Sequence, residues 1–184
     1  MATLVKKNRR ALRSNKKNGK SLTKNIRFVG VNSAGLSSKL ESFDSLLSNL
    51  RPSVLFVQET KFRTNGKLKT ENSDKYFIYE LLRKDRAGGG IAIGVDKDLD
   101  PVWVNEGIDG VEILTVEVSF SDLNVRCICG YGPQENETME NKEKFWIQLG
   151  FEVEEALNSA RGIVIEMDGN LWAGPGFYLA ILIR

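Results

Sequence analysis

The order of elements in this sequence predicts an α/β (α+β) fold in which two β-sheets pack face to face with helices on their outer sides. Three observations point there. Two amphipathic helical stretches bracket a run of short strands, a pattern of stacked sheets. The stretch "SVLFVQET" holds the unbroken apolar run "VLFV", as in a strand buried on both faces. Turn residues separate the central strands at short intervals, as in an antiparallel array.

In chain order, "IRFVGVN" alternates and is β-rich, which reads as a strand. "SSKLESFDSLLSNL" spaces Leu40, Phe43, Leu47 and Leu50 as one helical stripe, with Ser38 and Glu41 forming a capping box and Pro52 stopping the helix. "SVLFVQET" follows as the buried strand. After the loop "KFRTNGKLKTENSDK" come the strands "YFIYELL", "GGGIAIGV", "PVWV", "VEILTVEVSF" and "NVRCICGYG". "ETMENKEKFWIQLGFEVEEALNSA" predicts a second helix, with Phe145, Leu149, Val153 and Leu157 on one stripe and Glu140 paired with Lys144 at i,i+4. "GIVIEM" is the last strand of the series. No internal repeat is visible.

The chain of 184 residues is a one-domain length, and an apolar content of 41% is enough for a core. No run of about 18 apolar residues exists, so no transmembrane helix is predicted, and the start "MATLVKKNRR" lacks the apolar stretch of a secretory signal. Cys127 and Cys129 lie two apart in one strand and read as reduced core thiols, which fits an intracellular protein, nuclear or cytoplasmic. The net charge of +2 hides an asymmetry. Residues 1–25 hold nine of the 26 Lys and Arg residues and no Asp or Glu, leaving 17 basic and 24 acidic residues in the body. The first segment therefore reads as a disordered basic arm suited to phosphates or nuclear import. An acid-free transit peptide is the other reading.

Four predicted strands end on polar groups: Asn32, Glu59, Tyr131, and Asp168 with Asn170. Singly, each has an ordinary reading. Glu59 reads as a solvated carboxylate, Asn32 and Asp168-Gly169 as turn residues, and Gly88–Gly90 as a loop opening a strand. Together, two carboxylates, two amides and a phenol at converging strand ends suit a hard divalent cation and a phosphate. Magnesium takes one or two carboxylates plus waters and phosphate oxygens. The implied chemistry is in-line attack of water on a phosphoester.

"RFVGVNSAGL", "LRPSVLFVQETKF", "GGGIAIGV", "CGYGPQ", "FWIQL" and "GIVIEMDGN", spanning residues 26–175, resemble the endonuclease/exonuclease/phosphatase superfamily. More narrowly, they look like the apurinic-type endonuclease domain that precedes reverse transcriptase in non-long-terminal-repeat retrotransposons. The resemblance implies a four-layer sandwich of two mixed β-sheets flanked by helices. It implies Mg2+ or Mn2+ held by Glu59 with Asn32 beside it, Tyr131 on the phosphate, and Asp168 on the attacking water with Asn170 supporting. It implies DNA as substrate and partner, no membrane association, and a reverse transcriptase domain downstream in an intact parent. Three departures stand out. Met167 replaces the family's Gly before Asp168, Ala34 stands where the family often has an acid, and the closing Ser-Asp-His strand is missing from a chain with no histidine. The resemblance thus implies a domain incomplete at its C-terminus, weak or inactive in hydrolysis, with 176–184 an apolar tail of open origin. Two alternatives stand beside it: a phosphatase of the same superfamily acting on a small phosphoester or phospholipid, and a non-catalytic nucleic-acid-binding remnant.

Overall fold

The computed structural model describes residues 26–64, 66, 68–83, 87–105, 108–120, 123–159, 162–169 and 181–183. The expected basic arm, 1–25, lies outside them, as do Asn170 and most of the 176–184 tail.

Two mixed sheets stack face to face. The first has the order β1-β2-β4-β3, from β1 (Phe28–Asn32), β2 (Val54–Gln58), β3 (Tyr76–Leu81) and β4 (Ile91–Asp96). Its β1 and β2 run parallel, and the other neighbours run antiparallel. The second has the order β5-β6-β7-β8-β9, from β5 (Asp100–Asn105), β6 (Ile113–Phe120), β7 (Leu123–Tyr131), β8 (Gly162–Asp168) and β9 (Ile181–Ile183). Here β7 and β8 are the parallel pair. The segment 181–183, expected as part of an apolar tail, forms the strand β9 antiparallel to β8.

Helix α1 (Leu40–Leu50) covers the first sheet and α2 (Met139–Ser159) the second, giving four layers. Strand alternation builds the central core. Leu114, Val116 and Val118 of β6 and Val125, Cys127 and Cys129 of β7 meet Val54, Phe56, Ile91 and Ile93 of the facing sheet. Burial pushes both thiols far above the ordinary cysteine range, which makes them inert core groups.

The helix starts differ from the expectation. Lys39 is the N-cap of α1, with no side-chain capping bond, so Ser38 and Glu41 form no capping box. The Lys39 N–H instead donates to the Leu36 carbonyl at 2.9 Å, closing a turn that leaves Ser38 outside the cap. At its other end Arg51 adopts φ 44° and donates its N–H to Leu47, a left-handed stop just before Pro52.

The expected stripe of α2 is also rotated. Phe145, Gln148, Glu152 and Ala156 are its buried residues, while Leu157 is 60% exposed. The reason lies on the sheet beneath. The α2-facing side of β6 and β7 carries Thr115, Glu117 and Arg126, which call for polar partners. Glu152 accepts from Asn105 and from Gln148 (2.8 Å), and Arg126 bonds Glu117 (3.3 Å) and Ser159 (2.9 Å). The Glu140–Lys144 pair forms at 2.6 Å on the exposed side.

Burial pushes the Glu152 carboxyl up; bonds from Asn105, Thr115 and Gln148 and the Arg126 charge offset this only in part. A raised folded-state value means the native state holds its proton over a pH range where the unfolded chain has lost it. That stabilisation is complete below the unfolded value and is lost as pH rises through the folded one. Glu152→Gln is therefore expected to raise the urea midpoint at pH 8 and to leave it unchanged at pH 4, as measured by denaturation at the two pH values.

Candidate active site

Parallel pairing of β1 with β2 and of β7 with β8 brings four strand ends to one edge of the sandwich. Asn32 lies across from Gln58, and Tyr131 across from Asp168. The ladders continue past the strand ends. The Ser33 N–H donates to Gln58 at 2.9 Å, the Gly35 N–H to Glu59 at 2.8 Å, and the Gly132 N–H to Asp168 at 2.7 Å.

Glu59 sits in a left-handed backbone conformation, φ 53°, and so does Lys61, φ 56°. Such residues are strained and persist where neighbours over-determine them. Here the Ser33 hydroxyl and the Gly35 N–H hold the Glu59 carbonyl, while Thr60 and Lys61 donate their N–H groups to Gly90 and Gly89, each at 2.9 Å. Gly90 has to be glycine. It has φ 83°, and a Cβ there would stand 2.6 Å from the Thr60 hydroxyl. The Gly88–Gly90 stretch is thus a loop opening β4, and it also clamps the Glu59 segment.

The side chains join. The Tyr131 hydroxyl donates to Glu59 Oε1 at 2.7 Å, and Lys61 Nζ lies 3.0 Å from Glu59 Oε2. The Asn32 amide donates to Asp168 Oδ2. Its oxygen accepts the Ala34 N–H at 2.9 Å, an Asx turn that supports φ 47° at Ala34. Burial pushes the Glu59 carboxyl up, but the bonds from Tyr131 and Lys61, the Lys61 charge and the Asn32 amide outweigh it and hold the group below its ordinary value. Two side-chain bonds, Asn32 to Asp168 and Tyr131 to Glu59, together with the pairing of Tyr131 and Asp168 across β7 and β8, therefore bring four of the five residues singled out from the sequence together; Asn170 lies outside the described residues.

Three further elements shape this edge. Lys61 stands two residues past Glu59, a spacing that could have flagged it. Glu166, two residues before Asp168 on the same face of β8, is buried against Gly30, and burial pushes its carboxyl up. Behind Tyr131, Arg83 and Glu112 form a buried ion pair; the guanidinium lies 5.3 Å from the Tyr131 ring centre. Glu112 also accepts from the Gly90 N–H, and its carbonyl accepts from the Tyr131 N–H at 2.9 Å. Nothing in the sequence joins Arg83 to Glu112.

The donors fit a hard cation. All are oxygens, and the carboxylate Glu59 already draws a positive charge to Oε2 from within the chain. Among the described residues no group of three or more His, Cys, Asp or Glu gathers at one point. Magnesium, with its retained waters, does not require one.

Solved structures share this fold. The chain is similar to a 3'-5' exonuclease of Neisseria meningitidis, at 19% identity and a TM-score of 0.63 over 79% of this chain and 58% of that one. It is similar to an AP endonuclease of Archaeoglobus fulgidus, at 19% identity and a TM-score of 0.58 over 82% of this chain and 59% of that one. It also matches TDP2 of D. rerio complexed with single strand DNA product, at 15% identity and a TM-score of 0.56 over 80% of this chain and 61% of that one. These neighbours are members of the endonuclease/exonuclease/phosphatase superfamily, and the two mixed sheets have that superfamily's fold. The chain spans about three fifths of the length of these three structures. No protein-family model matches the sequence, and neither does any curated protein.

Proposed function

We propose that this chain carries the reactive edge of a divalent-metal-assisted hydrolase of phosphoester bonds in DNA. The observation that carries the reading is the meeting of Asn32, Glu59, Tyr131 and Asp168 at four strand ends, through the Asn32–Asp168 and Tyr131–Glu59 bonds and the pairing of Tyr131 with Asp168. The names of the similar structures, an exonuclease, an AP endonuclease and a protein complexed with DNA product, support DNA as the substrate class.

In this reading Glu59 would hold Mg2+ or Mn2+, with Asn32 beside it. The chemistry such a cation supplies is neutralisation of charge building on the phosphate. Asp168, fixed by the Asn32 amide, accepts a proton from the attacking water as the new oxygen–phosphorus bond forms and the leaving oxygen departs. On substrate binding the Tyr131 hydroxyl would turn its one proton from Glu59 Oε1 to a non-bridging phosphate oxygen, and Asn170 would support the phosphate or the water. The finer reading, from the sequence resemblance, is an endonuclease of the retrotransposon type whose parent carries a reverse transcriptase domain. Among the described residues no helix is long and apolar enough to cross a membrane.

Purified chain with Mg2+ or Mn2+ is expected to nick supercoiled plasmid slowly, and both chelation and Glu59→Gln are expected to abolish the nicking. Nicking that persists with chelator and in Glu59→Gln would overturn the proposal. Abasic DNA and inositol phosphates in the same assay separate a nuclease from a small-phosphoester phosphatase.

A further inference from the structure

Lys61 takes no part in the mechanism above, yet its backbone is held in place on the loop that carries Glu59. Its backbone is left-handed, as is that of Glu59, and the intervening N–H groups are tied to Gly89 and Gly90. These ties turn both side chains to one side of the loop, where Nζ meets Glu59 Oε2 at 3.0 Å. Oε1 is taken by the Tyr131 hydroxyl, so each oxygen of the carboxylate has a donor. Ala34, on the neighbouring loop, offers no rival carboxylate, and Gly35 leaves room for the lysine stem: a Cβ there would come 3.3 Å from Lys61 Cδ.

We propose that Lys61 is a tethered counter-cation, which holds the Glu59 carboxylate in the metal-free protein and must release Oε2 when a divalent cation binds. The inference rests on the reading of Glu59 as a metal ligand. The physical reason is charge. An ammonium in contact with Oε2 already neutralises the carboxylate, and a divalent ion brought to that oxygen meets a like charge at contact distance. Either cation satisfies the carboxylate, but the two cannot share Oε2 without repulsion. The ammonium lowers apparent metal affinity by the strength of the pair it has to give up, and metal binding loosens the ammonium by the same factor. With Lys61 44% exposed, water and salt moderate the effect.

The test is Mn2+ binding without nucleic acid, read from the electron paramagnetic resonance signal of free Mn2+, for the wild-type chain, Lys61→Met and Lys61→Arg. Lys61→Met is expected to bind Mn2+ roughly two- to fivefold more tightly at low salt, with the gap narrowing at high ionic strength. Lys61→Arg keeps the pair and is expected to stay near wild type. Equal or weaker binding by Lys61→Met, with wild type binding, overturns the competition and leaves Glu59 as a ligand. Absence of Mn2+ binding from wild type and Lys61→Met, both folded by circular dichroism, removes the metal reading and this inference with it.

Discussion

Asp168→Asn is expected to lower the rate of phosphodiester cleavage by about 10²- to 10⁴-fold, the range a positioned general base contributes. The substitution is close to isosteric, and the new amide oxygen can still accept from the Asn32 amide that now donates to Asp168 Oδ2. The continuation of the β7–β8 ladder, from the Gly132 N–H to the Asp168 carbonyl at 2.7 Å, does not depend on the side chain. The fold and the Glu59 carboxylate should therefore stay in place while the proton acceptor is lost. Single-turnover nicking should fall, with Mn2+ affinity and the urea midpoint near wild type. An unchanged rate would remove Asp168 from the chemistry. A rate lost together with the urea midpoint would assign it a structural role.

The second large effect concerns stability. Arg83→Met is expected to destabilise the protein by about 3–5 kcal/mol, the usual consequence of stripping one partner from a buried ion pair. The Arg83 and Glu112 side chains are 8% and 7% exposed, so water cannot replace the guanidinium. The same pair ties the Gly90 N–H and lies against the Tyr131 ring, so the clamp on the Glu59 segment should loosen as well. Urea denaturation measures the loss. Adding Glu112→Met should recover most of it, because the uncompensated charge then disappears. A loss below 1 kcal/mol in the single variant would show that the pair is not effectively buried.

The layers and most elements were legible in the sequence because periodicity reports burial directly. Val54–Gln58 is buried at every position, as its apolar run implies. Leu157 misled because helical spacing alone does not say what lies beneath a helix. Arg126, Glu117 and Thr115 on the covered sheet draw Gln148 and Glu152 inward and turn Leu157 out. Ser38 and Glu41 had capping-box spacing, yet the turn closed by Lys39 and Leu36 put the N-cap at Lys39, one residue past Ser38.

The residue types at the edge were equally legible. Asn32, Glu59, Tyr131 and Asp168 each follow an apolar strand, and polar groups at such ends stand out. What those residues touch was not. The Arg83–Glu112 pair joins positions 29 apart and the Asn32–Asp168 bond positions 136 apart, and no local pattern records either contact.

The sequence by itself determined the two stacked sheets and the chemical identity of the groups at their ends, since alternation and strand-end polarity are local properties. Only the tertiary structure decided that those groups meet, that Glu59 is held in a strained conformation, and that Lys61 occupies its free oxygen. The physical reason is that parallel pairing of β1 with β2 and of β7 with β8 sets which strand ends lie side by side, and that pairing depends on the packing of the whole sandwich.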